Sequence, residues 1–342
     1  MSEPTFLPDG LLVLPRLRVQ NANAISSPLT WGFPSPTAFL GFVHALERRL
    51  AERFGVVFDG VGIVCHAFDA QTFRPNRRQH LVFTQTRNPV YLKRDAGKFI
   101  AEGTPAAIVE EGRAHLEVSL VIAVSGSFDE AQQEQAFADV AHETAMGMRV
   151  AGGSVLPARG PRTSRPYYVP WPGTRVDRRK AFNRLRRRLL PGFALVHRPD
   201  LLGTRLNELH ETDEGATALD ALLDLTRLNH VPAERHGDGK SEWRVEKCPG
   251  WLVPLPVGYA GISHLHAAGE VAAARDGATP FRFVESLYSL GQWIGPHRLG
   301  QLDQLLWHSS ADVDAGLYHC VNRYSEFVEP RTPTEPNTIQ GA

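Results

Sequence analysis

Residues 11–50 read LLVLPRLRVQNANAISSPLTWGFPSPTAFLGFVHALERRL, and the order of signals within them decides the fold. Leu11 to Val19 carries a strand pattern, a polar loop rich in Asn, Ser and Pro follows, and Ser35-Pro36 opens a helix. There a capping side chain precedes a proline already set for the first helical turn. Phe39, Phe42, Val43, Leu46 and Leu50 then recur at the spacing of one buried stripe. In an unbroken strand Leu12, Leu14, Arg16 and Arg18 share one face, with Leu11, Val13, Leu17 and Val19 on the other. Pro15 has no amide hydrogen to give a ladder, so it predicts an edge position or a bulge.

Outward from this stretch, Gly60 to Phe68 is apolar on both faces, as in a central strand, and Leu116 to Val124 has a clear two-residue period. A capping box at Ser127 to Glu130 predicts a second helix with Phe137, Val140, Ala141 and Met148 inward, and Arg149 to Leu156 completes the set as a last strand. The order strand-helix-strand-strand-helix-strand predicts an α+β chain whose residues 1–157 form a ferredoxin-like βαββαβ domain of the RRM type. Residues of about 69–113 interrupt it. That insertion carries Arg74, Arg77, Arg78, Arg87, Lys93, Arg94 and Lys98, and its HLVFTQT and VYLK segments flank a turn at Arg87-Asn88-Pro89, which predicts a projecting β-hairpin.

Residues 158–328 are expected to form a large α+β extension: a basic loop, a helix over Val176 to Leu190, and a second over Asp213 to Asn229. A flexible loop is expected over His230 to Lys247. Prolines in Trp251 to Tyr259 argue against a regular central strand, two short helices are expected over Phe281 to Ile294 and Arg298 to His308, and a final strand over Gly316 to Tyr324. The proline-rich polar residues 329–342 are expected to be disordered.

Formal charge is zero overall but unevenly spread. Eleven Lys and Arg face Asp177 alone between residues 158 and 188, whereas nine Asp and Glu face Arg113 alone between 101 and 147. This asymmetry implies one anion-binding surface and one that repels nucleic acid or meets a basic partner. No run of eighteen apolar residues and no basic-then-apolar leader occurs, so a cytoplasmic protein without a membrane span is expected. Cys65, Cys248 and Cys320 lack paired spacing, which argues against a zinc knuckle or a disulfide framework. P-loop, dinucleotide-binding and nucleophile-elbow motifs are missing, and no cofactor is expected.

The candidate binding residues are therefore polar, basic or glycine. Arg16 and Arg18 mark a sheet face that, as in RRM-like folds, is expected to be the platform without helices; Asn21, Asn23, Ser26, Ser27 and Trp31 combine hydrogen-bonding groups with an aromatic plate in one loop. Arg74, Arg77, Arg78 and Arg87, interleaved with Phe83 and Tyr91, suit an element that tracks a single strand. Gly152 and Gly153 let backbone amides approach phosphate, and Arg159, Arg162 and Arg165 follow in a loop too rich in Pro and Gly to be a packed helix. Solvated faces remain the alternative for each basic group. His44 on the first helix is weighed as a general base, His115 with Glu117 as a metal pair or a hydrogen-bonding pair, and His264-Leu265-His266 as a metal motif for which no third ligand is marked in sequence.

Three runs carry a resemblance: NANAISSPLTWGFPSPTAFLGFVHAL at 21–46, EEGRAHLEVSL at 110–120 and RVAGG at 149–153. Together they resemble the second Csy subunit of type I-F CRISPR surveillance complexes, a Cas-five-type member of the RAMP proteins. That resemblance implies a non-catalytic assembly subunit: the fold is a RAMP domain with a thumb inserted, and the ligand is the 5′ handle of the guide RNA (crRNA). It also implies a heterodimer with the large Csy subunit docked through the C-terminal part, contact with a backbone RAMP subunit through the hairpin, and an indirect relation to target DNA. The rival within the same superfamily is a metal-independent endoribonuclease using His44 or His115 as base.

Overall fold

A computed structural model describes residues 7–76, 80–89, 96–103, 108–126, 128, 130–157, 165–235, 241–246, 250–272, 274 and 276–328. The chain opens with strand β1 (Gly10–Asn23), helix α1 (Pro36–Phe54) and strand β2 (Val57–Ala70). As expected, Ser35 caps α1 by accepting from the Thr37 amide, and its hydroxyl also donates to the carbonyl of Pro256 far along the chain. All five residues of the predicted helix stripe are buried. Strand β6 (Ile108–Ser125) and helix α3 (Ala131–Met146) come after the insertion. α3 starts at Glu130 without a side-chain cap; Ser127 and Asp129 of the expected capping box lie outside the described residues. The expected last strand is a tight hairpin of β7 (Arg149–Val150) and β8 (Gly153–Leu156), split at Ala151-Gly152.

These strands lie in the order β8-β1-β6-β2, every pairing antiparallel, with α1 and α3 packed on one face. The predicted bulge occurs at Pro15-Arg16, where the β1–β6 register shifts between Leu14 and Leu17 and Arg16 takes φ 51°. β1 is paired on both sides over most of its length, but on the side away from β6 the pairing covers only Gly10 to Val13 and Arg18 to Gln20, so Pro15 sits both at a bulge and at a local gap. The shift also corrects the expected faces. Leu12, Leu14, Leu17 and Val19 all point into the helix-side core, and Leu11 and Val13 point to the opposite core.

That opposite face was expected to be a helix-free platform. Instead helix α4 (Arg175–Arg188) lays Phe182 and Leu185, with Leu189 just beyond it, against Leu11, Val13, Val64, Val121 and Ala123. The extra strand β9 (Tyr167–Pro170) pairs with β1 beside it. Only the polar end of the face, with Arg18, Glu117 and His115, lies beyond this apolar contact.

The insertion differs from a single projecting hairpin. β3 (Thr72–Phe73) pairs with β4 (Val82–Phe83), whereas Arg87-Asn88-Pro89, expected as a turn, belong to β5 (Gln85–Pro89), which zips along the start of β6; a short helix α2 (Ala96–Glu102) follows.

The C-terminal half contains more strand than expected. Strand β10 (Phe193–His197), helices α5 (Pro199–His210) and α6 (Ala218–Thr226), and a hairpin of β11 (Asn229–Arg235) with β12 (Ser241–Glu246) occupy the region, the hairpin standing where a flexible loop was expected. β13 (Leu252–Gly261) is a strand, and as the prolines led one to expect it is not regular: its pairing with the next strand shifts register between Pro256 and Gly258. Its neighbour β16 (Leu317–Asn322) pairs only with Gly258 to Ala260, so the prolines have no ladder to interrupt on that side. The two expected short helices are β14 (Val284–Ile294) and β15 (Leu306–Asp312), joined through 3₁₀ turns at Pro296–Arg298 and Leu302–Gln304. Short apolar runs do not separate helix from buried strand by periodicity, and here strand pairing decides.

Pairings run β10-β14-β13-β16-β15-β2, and β10 returns to β2, so six antiparallel strands close a ring. Among the described residues these and the N-terminal strands make one twelve-stranded sheet, continuous across residue 157. Trp307 is fully buried in the core shared by both parts, its indole donating to the Leu195 carbonyl at 2.8 Å. Among the described residues no helix is long and apolar enough to cross a membrane.

His197, on the closing strand, hydrogen-bonds Ser289 at 2.8 Å, and burial holds its imidazole down at about 4. Unfolding returns it to about 6.5, so the unfolded state binds more protons between those values and stability must fall as pH drops through that window. Denaturant titrations from pH 7 to 4 should show a loss approaching about 1.4 kcal/mol per pH unit from this group. His197→Gln should flatten that dependence; an unchanged slope would assign it elsewhere.

Candidate nucleic-acid interface

An open polar pocket of about 390 Å³ lies where the far end of β1 meets the β7–β8 turn, lined by Gln20, Asn21, Gln71, Arg113, Arg149, Gly152 and Ser154. Backbone conformation builds it. Asn21, Ala151 and Gly152 have φ of 57°, 48° and 75°, and the Asn23 amide donates to the Ala151 carbonyl, which locks the turn against β1. Gly153 is obligatory for a different reason: a Cβ there would stand 2.7 Å from the Ala22 nitrogen and 2.8 Å from the Gln20 oxygen.

Two guanidinium groups converge on this turn. Arg149 donates to the Gly152 carbonyl at 3.2 Å, and Arg113, ion-paired to Glu111 at 2.9 Å, brings Nη1 to 4.0 Å from the Cβ position of Gly152. Asn21 is exposed; its side-chain Oδ1 accepts from Gln71 at 2.7 Å, and its backbone amide donates to Nδ1 of His115 at 3.2 Å. The chemistry on offer is cationic and amide donors with a few acceptors around a concave backbone turn, which suits a phosphodiester with one or two read base edges.

The structure separates the predicted residues. Asn21 and Gly152 line the pocket, and Gly153 lies buried beneath it. Arg18 is half-buried on β1, with Nη1 3.5 Å from the Pro157 carbonyl. Arg16 pairs with Glu117, and its amide donates to Ser119, so both groups serve the bulge. Asn23 folds onto Ile25, accepting from its amide and donating to its carbonyl; Ser26 accepts from the Ser35 amide, and buried Ser27 bonds Thr30 at 2.7 Å. The plates expected beside bases, Trp31 and Phe83, stack on each other with centroids 3.5 Å apart, which docks the insertion onto the loop. Arg74 is exposed, and Arg165 lies 3.8 Å from Asp139. Arg77, Arg78, Tyr91, Arg159 and Arg162 lie outside the described residues, as does the side chain of Arg87.

Sequence reasoning passed over Gln20, Gln71, Arg113, Arg149 and Ser154. The signal existed, because Arg113 and Arg149 belong to the two short runs EEGRAHLEVSL and RVAGG. The two histidines weighed as bases are not brought together. His44 is exposed on α1, in the layer against one sheet face, whereas His115 alternates with core-facing Leu116 and so takes the other face. His115 and Glu117 do not pair with each other; they hold the Asn21 amide and Arg16 respectively. Burial pushes the thiols of Cys65 and Cys320 up to about 12, which keeps them protonated; Cys65 is half-buried rather than fully so, and Cys248 lies outside the described residues.

An α+β protein with one broad antiparallel sheet, a helix layer and a cationic backbone turn at the sheet end is thus the class that the coordinates define. The family model described as CRISPR-associated protein (Cas_Csy2) matches residues 12–320. A curated relative, CRISPR-associated protein Csy2 of Pseudomonas aeruginosa (strain UCBPP-PA14), is 51% identical over 318 residues, covering 91% of this chain and 94% of its own. The chain belongs to the Csy2 family of CRISPR-associated proteins, the second Csy subunit of type I-F systems.

Gly152 and Gly153 should respond differently to substitution. Gly152→Ala meets only the left-handed backbone cost of about 1–2 kcal/mol. Gly153→Ala collides with main-chain atoms that cannot give way, so its loss in denaturant titration should be clearly larger. Equal losses would contradict the close approach of the turn to β1.

Proposed function

We propose that this chain is a non-catalytic subunit that caps the 5′ handle of a CRISPR guide RNA, with the Arg113–Arg149 pocket gripping the handle backbone and Asn21 reading a base edge. The observation that carries this reading is the convergence of two guanidinium groups on the left-handed turn Ala151-Gly152. Membership of the Csy2 family supports it, as does the β8-β1-β6-β2 order with α1 and α3 on one face, which fits the ferredoxin-like RAMP domain that this reading calls for. In the same reading the ring-forming C-terminal half docks the large Csy subunit, and the insertion at 69–113 serves as the thumb toward a backbone subunit. Target DNA is met only through the assembled complex in the cytoplasm.

Capping by a protein whose candidate histidines lie on opposite sides of the sheet needs no cleavage chemistry. Binding follows phosphate physics: basic side chains and amides fix the strand, and the splayed bases are read at their edges.

In the complex co-expressed with guide RNA, Arg149→Ala and Arg113→Ala should each weaken handle binding about tenfold, the worth of a charged hydrogen bond, and lower the salt slope by roughly 0.7. Asn21→Ala should relax handle-sequence preference and leave the salt slope unchanged. Affinities unaffected by either arginine would remove the pocket from the reading. Repeat RNA incubated with the purified protein should stay intact; specific cleavage abolished by His44→Ala would replace capping with nuclease action.

A further inference from the structure

Between β13 and β14 the chain makes a long excursion, and its neck is closed twice. The Ile262 amide donates to the Phe283 carbonyl at 2.9 Å, and His266 exchanges backbone bonds with Phe281 at 2.7 and 3.0 Å. From within that neck the sequence His264-Leu265-His266-Ala267-Ala268-Gly269-Glu270 turns back on itself. The Glu270 amide donates to the Ala267 carbonyl at 3.1 Å, with Gly269 at φ 78° in the third position of the turn.

The turn supplies what the sequence alone did not mark, a third donor beside the two histidines. One ligand atom each from His264, His266 and Glu270 lie within 4.8 Å of one another. The imidazole rings are 4.1 Å apart, and Oε1 of Glu270 stands 3.3 Å from Nδ1 of His266. That contact lies off the ring's hydrogen-bonding direction and leaves Nδ1, a buried nitrogen, without a hydrogen bond. The other carboxylate oxygen accepts from the Ala267 amide at 2.8 Å, a support that aims the free oxygen at the imidazoles. His266 itself is steadied by the edge of Phe283, with centroids 5.9 Å apart.

We propose that His264, His266 and Glu270 form a binding site for a borderline divalent transition-metal ion of the Zn²⁺ class, pinning the neck of this excursion. Tetrahedral Zn²⁺ with ligands at about 2.0–2.2 Å places its donors roughly 3.3–3.6 Å apart. The His266–Glu270 separation already has that value, and His264 and Glu270 are exposed and reach the rest by side-chain rotation. Two imidazoles with one carboxylate select this class over Mg²⁺ or Ca²⁺, which take oxygen ligands. Three protein donors leave the fourth position to water or to a donor from another molecule. The site lies in a different element from the RNA pocket and stands independently of the capping reading.

The test uses full-length protein purified without a histidine tag and stripped with chelator. Zn²⁺ is titrated against a chromogenic competitor, and Co²⁺ binding is followed by its visible d–d absorption. One equivalent of Zn²⁺ and a tetrahedral Co²⁺ spectrum are expected. His264→Ala and the conservative Glu270→Gln should each weaken Zn²⁺ at least about tenfold, while His210→Ala, on an exposed helix end, leaves it unchanged; circular dichroism checks that each variant folds. Absence of stoichiometric binding, or an affinity indifferent to both ligand variants, would overturn the proposal.

Discussion

The bulge at Pro15-Arg16 is the constraint from which the rest of the molecule follows. β1 is paired to β6 along most of its length and on its other side to β9 at Gly10–Val13 and to β8 at Arg18–Gln20, so Pro15 stands where that other side is open and the β6 ladder breaks. The break turns Arg16 to a positive φ and sends its amide to Ser119 and its guanidinium to Glu117. By inserting one residue it lets Leu11 and Val13 face α4 while Leu17 and Val19 stay under α1 and α3. Past the bulge a second register shift, between Val19 and Ala22, turns Asn21 to φ 57° and brings Gln20 and Asn21 to the β7–β8 turn. An arginine that seemed destined for nucleic acid is thus occupied in shaping the strand that carries the pocket.

Local signals with a single physical meaning were legible in the sequence. The Ser35-Pro36 start, the stripe of α1, the two-residue period of β6 and the proline bulge all involve residues whose conformation their neighbours dictate. What was not legible depends on partners distant in sequence. Phe281 to Ile294 has a helix-like distribution of apolar residues, but a barrel-like ring of six strands claims it. The sheet face read as an open platform is covered because α4, arginine-rich outside, keeps Phe182 and Leu185 for the inside. The loop residues Asn23, Ser26 and Ser27 looked like ligand donors because short polar side chains suit both roles; their own backbone and neighbours satisfy them.

The charge pattern is uneven, but among the described residues the part of its largest cluster that forms α4 does not line the pocket. Basic density is highest along α4, whereas the concave site is made by two arginines from otherwise acidic or neutral runs, Arg113 beside Glu110 and Glu111 and Arg149 after α3. Concavity and a strained turn, rather than charge count, gather those groups. Glu270 illustrates the same principle in the C-terminal half: four residues after His266, it reaches the histidines only because a turn folds the chain back.

Ultraviolet cross-linking of the assembled complex, with the cross-linked peptides identified by mass spectrometry, tests the central claim most directly. The account predicts that nucleotides of the 5′ handle join to peptides containing residues 20–21, 71, 113 and 149–154. Handle cross-links confined to the outer face of α4 or to the C-terminal strands, with none at the β7–β8 turn, would contradict it.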